Sequence, residues 1–77
     1  MTRSEVQKII RKSDVQSNVF SYLWYRRKNK NGSRLKDIAT SCRGAGVARN
    51  GLKVLIELGF VVQVARGEYK VSNELTV

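Results

Sequence analysis

Seventy-seven residues carry 15 Lys or Arg against six Asp or Glu, a formal net charge of +9, with one cysteine and neither histidine nor proline. A chain this short holds one core and no second domain, and a lone cysteine excludes an internal disulfide framework. Without histidine, and with Glu5, Asp14, Asp37, Glu57, Glu68 and Glu74 scattered rather than paired, neither a zinc site nor histidine acid–base catalysis has its groups.

The composition therefore argues against an enzyme and calls for no cofactor and no metal. No run of about 20 apolar residues is present, so a membrane partner is not expected. The opening MTRSEVQKIIRKSD breaks its aliphatics with charge, unlike the continuous apolar core of a signal peptide. The expectation is a cytoplasmic, nucleoid-associated protein, or one of the host cytoplasm if its source is viral.

Residues 3–12 place Val6, Ile9 and Ile10 at helical spacing, which predicts a short amphipathic helix. Ser13 or Asp14 can cap a second helix through VQSNVFSYLWYRR. In that helix Val15, Val19 and Leu23 form one stripe, widened by Phe20 and Trp24. KNKNG stops it, with Gly32 free to take positive φ. Ser33 is the expected N-cap of a third helix, RLKDIATSC, whose Leu35, Ile38, Ala39 and Cys42 fall at i, i+3, i+4 and i+7. On that stripe Cys42 reads as a buried small hydrophobe rather than a nucleophile.

RGAG makes a turn into a fourth helix at about residues 45–58, with Ala48, Leu52 and Leu55 inward and Gly51 allowing a neighbour to approach closely. Gly59 ends it. The period then changes to two. FVVQVA and EYKVS read as strands and ARGE as a hairpin tip with Gly67 in the turn. Val62 and Val64 share one face of the first strand, Tyr69 and Val71 one face of the second. The predicted class is α+β, mainly α: three or four helices followed by a β-hairpin.

Charge is concentrated in the middle of the chain. Between residues 26 and 53 there are nine Lys or Arg (26, 27, 28, 30, 34, 36, 43, 49 and 53) and one acid, Asp37. A positive field this dense draws polyanions, and double-stranded DNA is the expected partner.

The glycines of RGAGVARNGLK invite a nucleotide-binding reading, which fails. A phosphate-binding loop needs Gly followed directly by Lys and a hydroxyl residue, whereas Leu52 separates Gly51 from Lys53 and Val54 follows.

Two short helices joined by a glycine turn, the second ending in glycine and feeding a hairpin, make a winged helix-turn-helix. LKDIATSC, GVARNGLKVLIELGFV and ARGEYKVS resemble the DNA-binding core of ArsR- and MarR-like transcriptional regulators, including small archaeal and viral relatives. The likeness covers about residues 15–72, with residues 1–14 left as an N-terminal amphipathic helix. It implies a sequence-specific duplex-binding regulator whose recognition helix, at 45–58, enters the major groove.

Helical geometry turns Gly46, Arg49, Asn50 and Lys53 away from the core, and the resemblance then implies that Gly46, Arg49 and Asn50 meet base edges, where Arg can pair with guanine and Asn with adenine. Lys53, Ser33, Arg34, Lys36 and Arg43 would meet the DNA backbone. By the same resemblance the wing at about 65–68, with Arg66 at its tip and Lys70 on the return strand, would lie on the backbone or in the minor groove. The RRKNK run at 26–30 either flanks the DNA or is a solvated loop.

The metal-binding residues of ArsR-type sensors and the long dimerisation helices of MarR-type proteins are missing, and no small-molecule effector is evident. A homodimer on a palindromic site remains an expectation, with residues 1–14 and an apolar patch drawn from Val6, Ile9, Ile10, Tyr22, Trp24 and Tyr25 as its means, although core packing is the alternative for the aromatics. The rivals are a winged-helix module for protein contacts and a non-specific architectural nucleic-acid-binding protein.

Overall fold

The computed structural model describes residues 2–28 and 31–75. Among these the elements run α1 (Arg3–Ile10), α2 (Asp14–Tyr25), β1 (Ser33–Arg34), α3 (Leu35–Ala39), α4 (Ala45–Glu57), β2 (Val61–Ala65) and β3 (Glu68–Val71). The protein is a small, mainly helical α+β domain whose three strands form an antiparallel sheet in the order β1-β3-β2.

Local chemistry sets the helix starts. Thr2 and Glu5 make a reciprocal capping box at α1: the Thr2 hydroxyl accepts from the Glu5 N–H at 3.3 Å, and the Glu5 carboxylate accepts from the Thr2 N–H at 3.1 Å. Of the two expected caps of α2, Ser13 serves, accepting from the Gln16 N–H at 3.3 Å. That helix ends at Tyr25, two residues short of the expected stretch, and the Arg26 and Arg27 N–H groups donate back to the carbonyls of Leu23 and Trp24. Asn29 and Lys30, which belong to the expected stop and to the basic run, lie outside the described residues.

Val6, Ile10, Val19, Phe20, Leu23, Ile38, Leu52, Leu55 and Val61 are all at most 1% exposed and form one core. Burial of each such side chain contributes about 1.5–3 kcal/mol relative to exposure. Packing therefore holds α4, because its N-cap, Gly44, offers no side chain. Gly51 is where α4 meets α2: a Cβ there would come within 2.9 Å of Val15 Cγ1 and 3.5 Å of Val19 Cγ2. The close approach expected from this glycine is present.

Three expectations need correction. First, Ser33 does not cap α3. It sits in β1 opposite Tyr69, 6% exposed, and the N-cap position belongs to Arg34, which makes no side-chain cap. The backbone of Ser33 finds its partner in β3, a long-range pairing that overrides the local cap.

Second, α3 is only five residues long. The Thr40 and Ser41 hydroxyls donate back to the carbonyls of Asp37 (2.6 Å) and Ile38 (2.7 Å), a bonding pattern that competes with helix continuation. Cys42 thus lies in a turn, half-buried against the core.

Third, the proposed apolar patch does not exist as drawn. Val6, Ile10 and Trp24 are buried and Tyr22 is half-buried, which leaves only Ile9 and Tyr25 exposed.

The hairpin pairs Val61 with Val71, Val62 with Lys70 and Gln63 with Tyr69, and a bulge precedes the Ala65–Glu68 pair. Val61 and Val71 close the core, while Val62 and Val64 are exposed.

Candidate nucleic-acid interface

With Ala48, Leu52 and Leu55 turned into the core, the 100° step per residue puts Gly46, Arg49, Asn50, Lys53 and Glu57 on the opposite side of α4. All five are exposed. Among the described residues, the side chains of Arg49, Asn50 and Lys53 are engaged in no hydrogen bond or ion pair. They stand ready for an outside partner.

Arg49 and Asn50 nevertheless flank the ridge rather than sharing one side of it. Arg49 and Lys53 border a cleft of about 390 Å³ between α4 and the sheet, with Leu52, Ile56 and Tyr69 as its apolar lining and Glu57 at its edge. Asn50 borders a groove of about 280 Å³ on the other flank, against Ser13, Val15 and Gln16 of the α2 start.

The start of α4 adds to the positive potential. Gly44 holds φ at +143° and makes no side-chain cap, and no acidic residue occupies the first turn. The first backbone N–H groups are therefore unmatched by side chains, and the positive end of the helix dipole is uncompensated. Exposed Arg43 stands immediately before this end. Of the glycines in RGAG, Gly44 lies in the turn as the N-cap of α4. Gly46 already lies within the helix.

The remaining predicted contacts scatter around α4. Lys36 is exposed on α3 and Arg66 at the hairpin tip. Lys70 is half-buried on β3 opposite Val62. Arg34 has a 71% exposed side chain and lies 3.9 Å from the Glu68 carboxylate, a surface pair too weak to withhold the guanidinium from a phosphate. Buried Ser33 is the exception: its hydroxyl cannot reach a DNA backbone.

A second feature went unread in the sequence, a set of arginines lying on aromatic rings. The Arg26 guanidinium lies 3.8 Å from the Tyr22 ring centre, that of Arg27 4.5 Å from Trp24, and that of Arg3 5.7 Å from Trp24. Helical spacing carried a signal for two of them, since Arg26 is i+4 from Tyr22 and Arg27 is i+3 from Trp24.

No described helix is long and apolar enough to cross a membrane. Comparison with known proteins found no matching family model, no matching curated protein and no matching solved structure.

Proposed function

We propose that this chain is a winged-helix protein that binds double-stranded DNA, with α4 in the major groove and the β2–β3 hairpin as the wing. One observation carries the reading: α4 presents Arg49, Asn50 and Lys53 exposed and unpaired on the side away from the core. From α2 onward, the element order helix–strand–helix–helix–hairpin and the sheet order β1-β3-β2 support it, because together they set a hairpin beside the last helix.

In this reading Arg49 and Asn50 contact base edges on either side of the ridge, and Gly46 lets the backbone come close to the bases. Lys53, Arg43, Lys36 and Arg34 hold phosphates, together with the free N–H groups at the start of α4. Arg66 extends the contact from the wing and Lys70 supports it. Regulation of transcription follows from site-specific occupancy of this kind, and the same fold without base discrimination would act architecturally.

Charge separates this from the rival of a protein-binding module. A protein partner for a chain with nine cations and one acid in its sequence between residues 26 and 53 would have to be strongly acidic, a property every duplex has. The test is selection of preferred sites from random duplexes, followed by anisotropy titration of the selected site. Enrichment of a defined sequence, with affinity lost on Arg49→Ala, supports the reading. No enrichment combined with unchanged binding by the variant excludes α4 as the reading element.

A further inference from the structure

Trp24 closes one end of the core, 4% exposed and stacked on Phe20 at 6.0 Å between ring centres. Two guanidinium groups lie against it, Arg27 from the end of α2 and Arg3 from the first turn of α1. Arg27 Nη1 donates to the Trp24 carbonyl at 3.0 Å, which fixes the side chain and leaves its other N–H groups free. Arg3 Nε is buried and makes no hydrogen bond among the described residues. A buried donor without an acceptor is costly.

No described carboxylate answers these charges. Glu5 is occupied by Thr2, and the ion pair among the described residues is that of Arg34 with Glu68, on the sheet. Arg26, on the Tyr22 ring, and exposed Lys28 flank Arg27 in the sequence. Stacking on rings has already ordered the guanidinium groups, and their in-plane N–H forks suit phosphate oxygens. Both charges lie within 5.7 Å of one ring centre, and an oxyanion bound beside them relieves their mutual repulsion.

This cluster is remote from the exposed side of α4. The two helices meet where Gly51 touches Val15 and Val19, and Trp24 is five residues beyond Val19, about 7.5 Å along α2. Arg49 and Lys53 point off the far side of α4, whose axis stands a further 8–10 Å or so from that of α2. Helix α1 packs on α2. Arg3 and Arg27 therefore sit on elements other than the one that presents Arg49 and Lys53.

We propose that Arg3 and Arg27, held on Trp24, form a second phosphate site that takes the backbone of another duplex while α4 holds the first. The protein would then join two DNA segments. This inference rests on the DNA-binding reading of α4, and the experiment keeps the two apart. An immobilised duplex of about one and a half helical turns is loaded with protein and offered a second, labelled duplex.

The expected result is co-capture by the wild type, lost by the double variant R3Q/R27Q while that variant keeps its affinity for a single short duplex within about twofold. Retained affinity also certifies that the variant is folded. The proposal is overturned if the double variant co-captures like the wild type, or if it loses single-duplex affinity in parallel with R49Q/K53Q. Inorganic pyrophosphate supplies an arm that needs no DNA. Trp24 is the sole tryptophan, so saturable change in its emission, absent in R3Q/R27Q, reports the site directly, and unchanged emission removes it. A wild type that answers pyrophosphate but binds no duplex would sink the DNA reading and, with it, the joining of duplexes.

Discussion

The Leu35 N–H donates to the Gly67 carbonyl at 2.9 Å, so the hairpin tip is fastened to the first turn of α3. Arg66, beside Gly67 at the tip, is therefore carried on an anchored loop. With its exposed side chain, replacing it by Ala should leave thermal stability within about 0.5 kcal/mol. The same change should flatten the salt dependence of duplex binding by about 0.9 in log–log slope, one phosphate contact. Melting curves and titrations at several salt concentrations check both halves.

Base-reading and phosphate-holding residues should separate in their effects. Arg49→Ala or Asn50→Ala should cost about 1–3 kcal/mol on the selected site and little on random duplex. Lys36→Ala or Arg43→Ala should weaken both duplexes alike. Parallel titrations on the two duplexes measure this, and identical behaviour of the two pairs would show that α4 does not read bases.

Two glycines of α4 should respond with opposite sign. At Gly46 nothing lies within 4 Å of an added Cβ, so Gly46→Ala should stabilise by about 0.5–1 kcal/mol through helix propensity. At Gly51 the same methyl meets Val15 Cγ1 at 2.9 Å, and crowding of about 1–3 kcal/mol outweighs that gain. Chemical denaturation of the two variants gives the comparison, and stabilisation by Gly51→Ala would contradict the α2–α4 packing.

The capping box makes α1 sensitive to acid. The Thr2 backbone N–H, and after it the Thr2 hydroxyl, hold the Glu5 carboxyl below its ordinary value of 4.5. A carboxyl lowered on folding contributes stability that is complete above its unfolded-state value and is lost as pH falls through the folded-state value. Melting temperature should therefore drop on acidification through the carboxylate range, and Glu5→Gln should reduce that drop. Thermal scans of both proteins from neutral to acid pH test the expectation. An identical acid response in the variant would remove Glu5 from the account.

Much of the helical layout was legible because its causes are local. The stripes through Val19, Phe20 and Leu23 and through Ala48, Leu52 and Leu55 follow the helical period, and all these side chains are buried. Ser13 caps α2 and Gly59, at φ +83°, follows the end of α4, as their residue types suggest. What escaped was non-local. A two-residue strand has no periodicity to detect, so Ser33 looked like a cap until β3 supplied its partner.

The exposure of Arg49, Asn50 and Lys53 was readable from the wheel. Their division between two flanks was not, since it depends on where α2 and the sheet pack. Arg3 on Trp24 was equally hidden, because it depends on α1 packing on α2, which buries Val6 and Ile10.

The most direct measurement of the central claim is the affinity for duplex DNA as a function of salt. Six cations are assigned to phosphates or the wing: Lys53, Arg34, Lys36, Arg43, Arg66 and Lys70. With about 0.9 per contact, log K should fall against log salt with a slope of roughly −5, and the slope should shrink stepwise as these residues are removed. No measurable duplex binding at about 50 mM salt, or a slope shallower than about −1, would contradict the account.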